Sequence, residues 1–121
     1  MHFLYLRITG KNLNINNISN TLNLVPESTE NNDVWQYRSE IKKGNILENK
    51  ICDFICELFK KKDYFTEISV DNDIGIYVVM YPDNIDDTHQ INISLTNQTI
   101  DMLHDMNISF HVTVMDLHKL Y

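Results

Sequence analysis

Between Leu47 and Lys62 the apolar residues Leu47, Ile51, Phe54, Ile55, Leu58 and Phe59 recur at intervals of three and four. That spacing lines them up as one stripe on an α-helix, and a stripe of this width needs a second layer of structure to bury against. Lys60, Lys61 and Lys62 fall in the last turn, where cations suit the negative end of the helix dipole. The spacing therefore predicts a principal helix over 47–62, set off from the preceding segment by Gly44.

The layer to cover is found in segments that alternate or are rich in β-favouring residues. His2 to Thr9 places Leu4, Leu6 and Ile8 on one side and Phe3, Tyr5 and Arg7 on the other, which predicts a strand. Asn14 can cap a short helix carrying Ile15, Ile18 and Leu22, which ends before Pro26. Pro26 to Asp33 is polar and turn-rich, and Val34 to Ile41 then reads as a strand whose Val34, Gln36, Arg38 and Glu40 face is wet. Three further strands are expected at Tyr64–Val70, Ile74–Tyr81 and His89–Leu95, forming an antiparallel meander through the Asp71, Asn72, Asp73 turn and the 82–88 loop. Thr96 can cap a helix with Ile100, Leu103 and Met106 facing inward, and Ile108, Phe110, Val112 and Val114 alternate as a last strand.

This order predicts a single α+β domain over residues 1–121. Its antiparallel or mixed sheet would have about six strands, with three helices mainly on one face and a strand-helix-strand unit at each end giving ferredoxin-like elements. The 121 residues and 43% apolar content are enough for one core that folds without a metal or disulfide. Cys52 and Cys56, four apart on one helix face, are expected to be buried structural thiols of a reducing compartment. No stretch approaches the ~20 apolar residues of a bilayer span and no secretory leader is recognisable, so a cytoplasmic location is expected, with no membrane partner.

Ten Lys and Arg against seventeen Asp and Glu give a formal charge of −7. Phosphate binding depends on neutralising charge with cations, so nucleic acid is disfavoured as a direct ligand, and a basic protein becomes the complementary partner. Catalytic signatures are missing: three glycines leave little room for a phosphate loop, and neither a nucleophile elbow nor a His-Glu-x-x-His occurs. Asp101 with His104, and Asp116 with His118, offer proximity in sequence and nothing more. The sequence therefore predicts no catalytic residues, no cofactor and no metal site, and it leaves the oligomeric state open.

The candidate partner-binding residues are acidic and aromatic. Asp83, Asp86 and Asp87 crowd one loop beside Tyr81, and Asp71 with Asp73 crowd the preceding turn, although turns favour Asp for their own conformational reasons. Trp35 and Tyr37 supply core area at this spacing, and become anchors for a partner if the open face of the sheet carries them.

The opening strand and Asn-rich helix ending in Leu22, Leu24 and Pro26, the isolated Trp35 with Tyr37 and Ser39, and the close from Ile91, Ile93, Ser94 and Leu95 to Ile108 and Phe110 carry a likeness. Together they resemble the bacterial family known as domain of unknown function 4279, over essentially the whole length. The resemblance implies no reaction, but small acidic domains of this look are similar to immunity proteins of bacterial competition systems. The function expected is thus a cytoplasmic immunity protein that binds and neutralises a basic toxin domain, a nuclease in the first instance. The alternative is a regulatory module that binds a small ligand or peptide on the sheet surface.

Overall fold

The computed structural model describes residues 2–42, 46–81 and 93–115. Along the chain they form β1 (His2–Thr9), α1 (Ile15–Leu22), a 3₁₀ turn (Glu30–Asn32), β2 (Val34–Ile41), α2 (Leu47–Phe59), α3 (Lys62–Ile68), β3 (Asp73–Met80), α4 (Asn97–Met106) and β4 (Ser109–Val114). The strands make one mixed sheet in the order β2-β1-β3-β4. β1 is antiparallel to both neighbours, whereas β3 and β4, joined through α4, run parallel.

Because side chains alternate along each strand, the register fixes the two faces of the sheet. On the inner face Leu6 lies between Tyr37 and Ile76, and Ile76 is followed by Phe110; Ile8 lies between Trp35 and Ile74. Leu4, Leu6, Ile8, Ile74, Ile76, Val78 and Met80 are all buried there, beneath Ile51, Ile55 and Leu58 of α2, Phe65 of α3 and Met102, Leu103 and Met106 of α4. Each fully buried aliphatic side chain stabilises the fold by about 1.5–3 kcal/mol relative to exposure. Among the described residues the helical layer therefore covers one face of the sheet.

Two helices start and stop by means visible in the sequence. Asn14 Oδ1 accepts the Asn17 N–H at 3.1 Å, and Thr96 Oγ1 accepts the Thr99 N–H at 3.2 Å, each satisfying a donor that the first helical turn leaves orphaned. At the other ends Asn23 and Asn107 adopt left-handed backbone, with φ 55° and 57°. Asparagine tolerates that region better than most residues, so it serves here as the terminator glycine usually supplies.

Several expectations from the sequence change. Residues 64–68 belong to helix and 69–70 to the turn after it, not to a strand: α3 covers Lys62–Ile68 after a break at Lys60 and Lys61, so the principal helix ends at Phe59. Tyr64, Phe65 and Ile68 share the packed side of α3, and Thr66 Oγ1 donates back to Lys62 O at 2.8 Å with Asp105 O, at the end of α4, 3.3 Å away. Tertiary packing has overridden a β-favouring composition. Without that strand no meander forms, and β3 pairs directly with β1.

Most of the expected 89–95 strand lies outside the described residues, and residues 93–95, which are described, are not in a strand. The described sheet accordingly has four strands against four α-helices, where about six and three were expected. Nor do the strand-helix-strand units interleave in the ferredoxin-like manner, because β1 and β2, and β3 and β4, are immediate neighbours. On α4 the buried stripe is Thr99, Met102, Leu103 and Met106, while Ile100, one helical step round from Thr99, is exposed. Val112 and Val114 of β4 are exposed as well, and of the two cysteines, both free, Cys56 is exposed rather than buried.

Candidate functional site: the outer face of the sheet

The residues opposite the core form a regular grid. Its central row, read across the strands, is Arg38, Tyr5, Tyr77 and His111. On one side lies the row Gln36, Arg7, Gly75 and Ser109, and on the other Glu40, Phe3, Val79 and Thr113. None of these side chains is covered by a helix among the described residues.

The rings touch one another. Tyr77 and His111 stack with centroids 4.4 Å apart and planes 9° from parallel. Phe3 lies 6.4 Å from Tyr5 and meets Tyr81 edge-on at 6.0 Å. The Arg38 guanidinium sits 5.2 Å from the Phe3 ring centre while its Nε contacts Glu27 Oε2 at 3.1 Å. Cross-strand aromatic pairs contribute about 0.5–1.5 kcal/mol beyond their buried area, so the grid is partly self-supporting.

Gly75 makes this arrangement possible, since a Cβ there would come within 2.8 Å of the Tyr77 ring and 3.0 Å of Ser109 Oγ. The ring lies down along the strand in the space a side chain would fill. Ser109 Oγ lies 3.3 Å from Ile74 O and 2.9 Å from His111 Nε2, which ties the hydroxyl to both β3 and the imidazole.

The aromatic and acidic residues named from the sequence are scattered by the fold. Trp35 is 0% exposed, donating its indole N–H to Ser19 Oγ at 3.0 Å, and Tyr37 stacks on Phe54 of α2 with centroids 5.9 Å apart. Both lie on the inner face, which withdraws Trp35 as a contact for any partner and leaves Tyr37 to the core layer. Tyr81 does reach the outer face, against Phe3. Asp73 sits at the other end of β3, about 26 Å from Tyr81 at about 3.3 Å per residue, and Asp71 lies beyond it, so the turn and Tyr81 do not form one patch. Asp83, Asp86 and Asp87 lie outside the described residues. Asp101 and His104 both occupy the exposed side of α4.

Asp71 instead borders a cleft of about 280 Å³ at the end of the sheet. One wall is the 11–17 segment, with Lys11, Asn14 and Asn17, and the other runs through α3 and the turn beyond it, with Tyr64, Glu67 and Asp71. Partial burial raises the Tyr64 pKa above its ordinary value; a hydrogen bond with Thr21 opposes this and the charge of Glu67 adds to it. Gly10 closes the turn beside the cleft, because Asn72 Oδ1 occupies the place of a Cβ there while Asn72 Nδ2 donates to Ile68 O at 2.9 Å.

No cluster of three His, Cys, Asp or Glu able to hold a metal occurs among the described residues, and none of their helices is long and apolar enough to cross a membrane. The architecture defines a two-layer α+β protein: helices cover one side of a mixed sheet, and the other side bears a ring of aromatic groups. Residues 1–117 match the family described as Domain of unknown function (DUF4279), and the chain belongs to that family. Comparison with curated proteins and with solved structures gives no match.

Proposed function

We propose that this protein is a cytoplasmic binding protein of the immunity class, which neutralises a basic toxin domain by docking it on the outer face of the sheet. The observation that carries the reading is the central row of Tyr5, Tyr77 and His111, flanked by Arg38 and Phe3, on a face with no helical layer over it among the described residues. Tyrosine and arginine are enriched at protein interfaces because they offer large, stiff contact area with a polar tip. A sheet fixes their spacing in advance, so little conformational freedom is lost on docking.

The formal charge of −7 supplies the second part of the argument. A cationic partner is drawn in over several ångströms, and salt weakens that steering because the Debye length is only about 8 Å at physiological ionic strength. A nuclease domain, basic because it must hold phosphates, fits such a field. The acidic residues Asp73, Asp83, Asp86 and Asp87 remain part of the proposed contact, whereas Trp35 does not.

The test is a search of the neighbouring genes for a basic toxin domain and co-expression with any such domain, comparing the wild type with a Tyr5→Ala/Tyr77→Ala variant whose melting temperature is confirmed. Rescue of growth by the wild type, lost in the variant, together with association that slows at high salt, supports the reading. Rescue that survives loss of both tyrosines removes the sheet face from it. Specific recovery of a small metabolite or a peptide on this face, with no effect on a toxin, favours the regulatory-module alternative.

A further inference from the structure

The cleft at the end of the sheet separates hydrogen-bond donors from acceptors. Asn14 Oδ1 is taken by the Asn17 N–H, and Asn17 Oδ1 by the Thr21 hydroxyl at 2.9 Å. With their oxygens engaged, the two carboxamides have NH₂ groups left to donate, on the same wall as the Lys11 ammonium. That wall is also the start of α1, whose first turn carries no acidic side chain to complement its own N–H groups. The facing wall carries the carboxylates Glu67 and Asp71. Between the walls the floor is aliphatic, made by Ile8, Ile18 and Ile68.

From this we infer that the cleft binds a free α-amino acid as its zwitterion, the carboxylate toward Lys11, Asn14 and Asn17 and the ammonium toward Glu67 and Asp71. Size favours the same class: about 280 Å³ falls just under the roughly 300–1,000 Å³ of pockets for drug-sized ligands, and equals the liquid volume of about nine waters. A nucleotide or a folded peptide is too large. A single charge would satisfy one wall and leave the other facing it unmatched, whereas a zwitterion satisfies both. The tyrosine and histidine grid takes no part, so the site stands apart from the docking proposed above.

The experiment is a titration of the ¹⁵N-labelled full chain with L-leucine, with 4-methylpentanoate, which lacks the ammonium, and with 3-methylbutylamine, which lacks the carboxylate. L-Leucine should shift the amides of Asn12, Asn17, Ile68 and Asn72 saturably, and bind at least about tenfold more tightly than either half-molecule, a difference of about 1.4 kcal/mol. Glu67→Gln/Asp71→Asn should lower the affinity for L-leucine to that for 4-methylpentanoate while leaving the latter's binding unchanged. Lys11→Met should do the converse with 3-methylbutylamine. All three positions are exposed, and a melting curve for each variant confirms the fold. Equal affinities for the three compounds, shifts centred on other elements, or no saturation at all would overturn the inference, without bearing on the toxin test.

Discussion

Replacing Ser19 with alanine strands a donor. The Trp35 indole is fully buried, and its N–H reaches Ser19 Oγ at 3.0 Å across the α1–β2 contact. Once the hydroxyl is gone the N–H stays buried without an acceptor, and such a group costs about 1–3 kcal/mol. Trp35→Phe loses the same bond and opens a small cavity, for about 2–3 kcal/mol in all. In the Trp35→Phe background the donor no longer exists, so Ser19→Ala should cost close to nothing. The double-mutant cycle should therefore show a coupling of about 1–3 kcal/mol.

Stability for 121 residues is of the order of 6–18 kcal/mol, so every member of the cycle still folds. Urea unfolding followed by far-ultraviolet circular dichroism is the assay, because Trp35→Phe removes the only tryptophan as a fluorescent reporter. With a urea slope of about 2 kcal/mol per molar, Ser19→Ala should lower the midpoint by roughly 0.5–1.5 M. Additive effects, within about 0.3 kcal/mol, would refute the account of Trp35 as a hydrogen-bonded core residue.

Three further outcomes follow from the fold. Asn107→Ala should destabilise by about 1 kcal/mol because its φ of 57° is left-handed, while Asn107→Gly should be neutral or better; thermal melts of both decide it. Gly75→Ala should push the Tyr77 ring off His111, since the added Cβ would lie 2.8 Å from it, and the upfield ring-current shift of the His111 ring protons should be lost at a cost of about 0.5–1.5 kcal/mol. Tyr64 has its pKa raised in the folded chain, so the native state holds that proton more tightly than the unfolded state. The contribution is intact below the unfolded value near pH 10 and is lost as pH climbs through the folded value. Tyr64→Phe should flatten the fall in melting temperature above pH 10, and an unchanged slope would exclude Tyr64 as its source.

The local signals were legible where they were short-range. Asn14 and Thr96 announced their helices by position, and alternation set β1 and β2 at His2–Thr9 and Val34–Ile41. The segment 64–70 misled because Tyr, Phe, Thr, Ile and Val favour strands by type, whereas Tyr64, Phe65 and Ile68 reach the core from one side of a helix. The aromatic grid was harder still. Phe3 and Tyr5 were visible as the second side of a strand, but their meeting with Tyr77 and His111 depends on strand pairings that join Tyr5 to Tyr77 and Tyr77 to His111 across long stretches of chain, which no local pattern encodes. Trp35 drew attention by its rarity, yet the register places it beside Ile8 on the core side. The cleft joins residues from the ends of β1 and α3, so it too exists only once the sheet has closed.

The central place of β1 bears on how the chain reaches its native state. The earliest strand to be synthesised has two neighbours, and only β2 follows soon after; Thr9 waits for Asp73 and His2 for Met80. A β1–α1–β2 unit can collapse first, with one edge of β1 still bare and Leu4, Leu6 and Ile8 still without their β3 partners. Closing the long loop to β3 adds an entropic delay that grows only slowly with length, but during it the bare edge is open to strands of other molecules. Folding of this protein is thus gated by the arrival of residues 73–80, and slow elongation or truncation before that point would favour aggregation through β1.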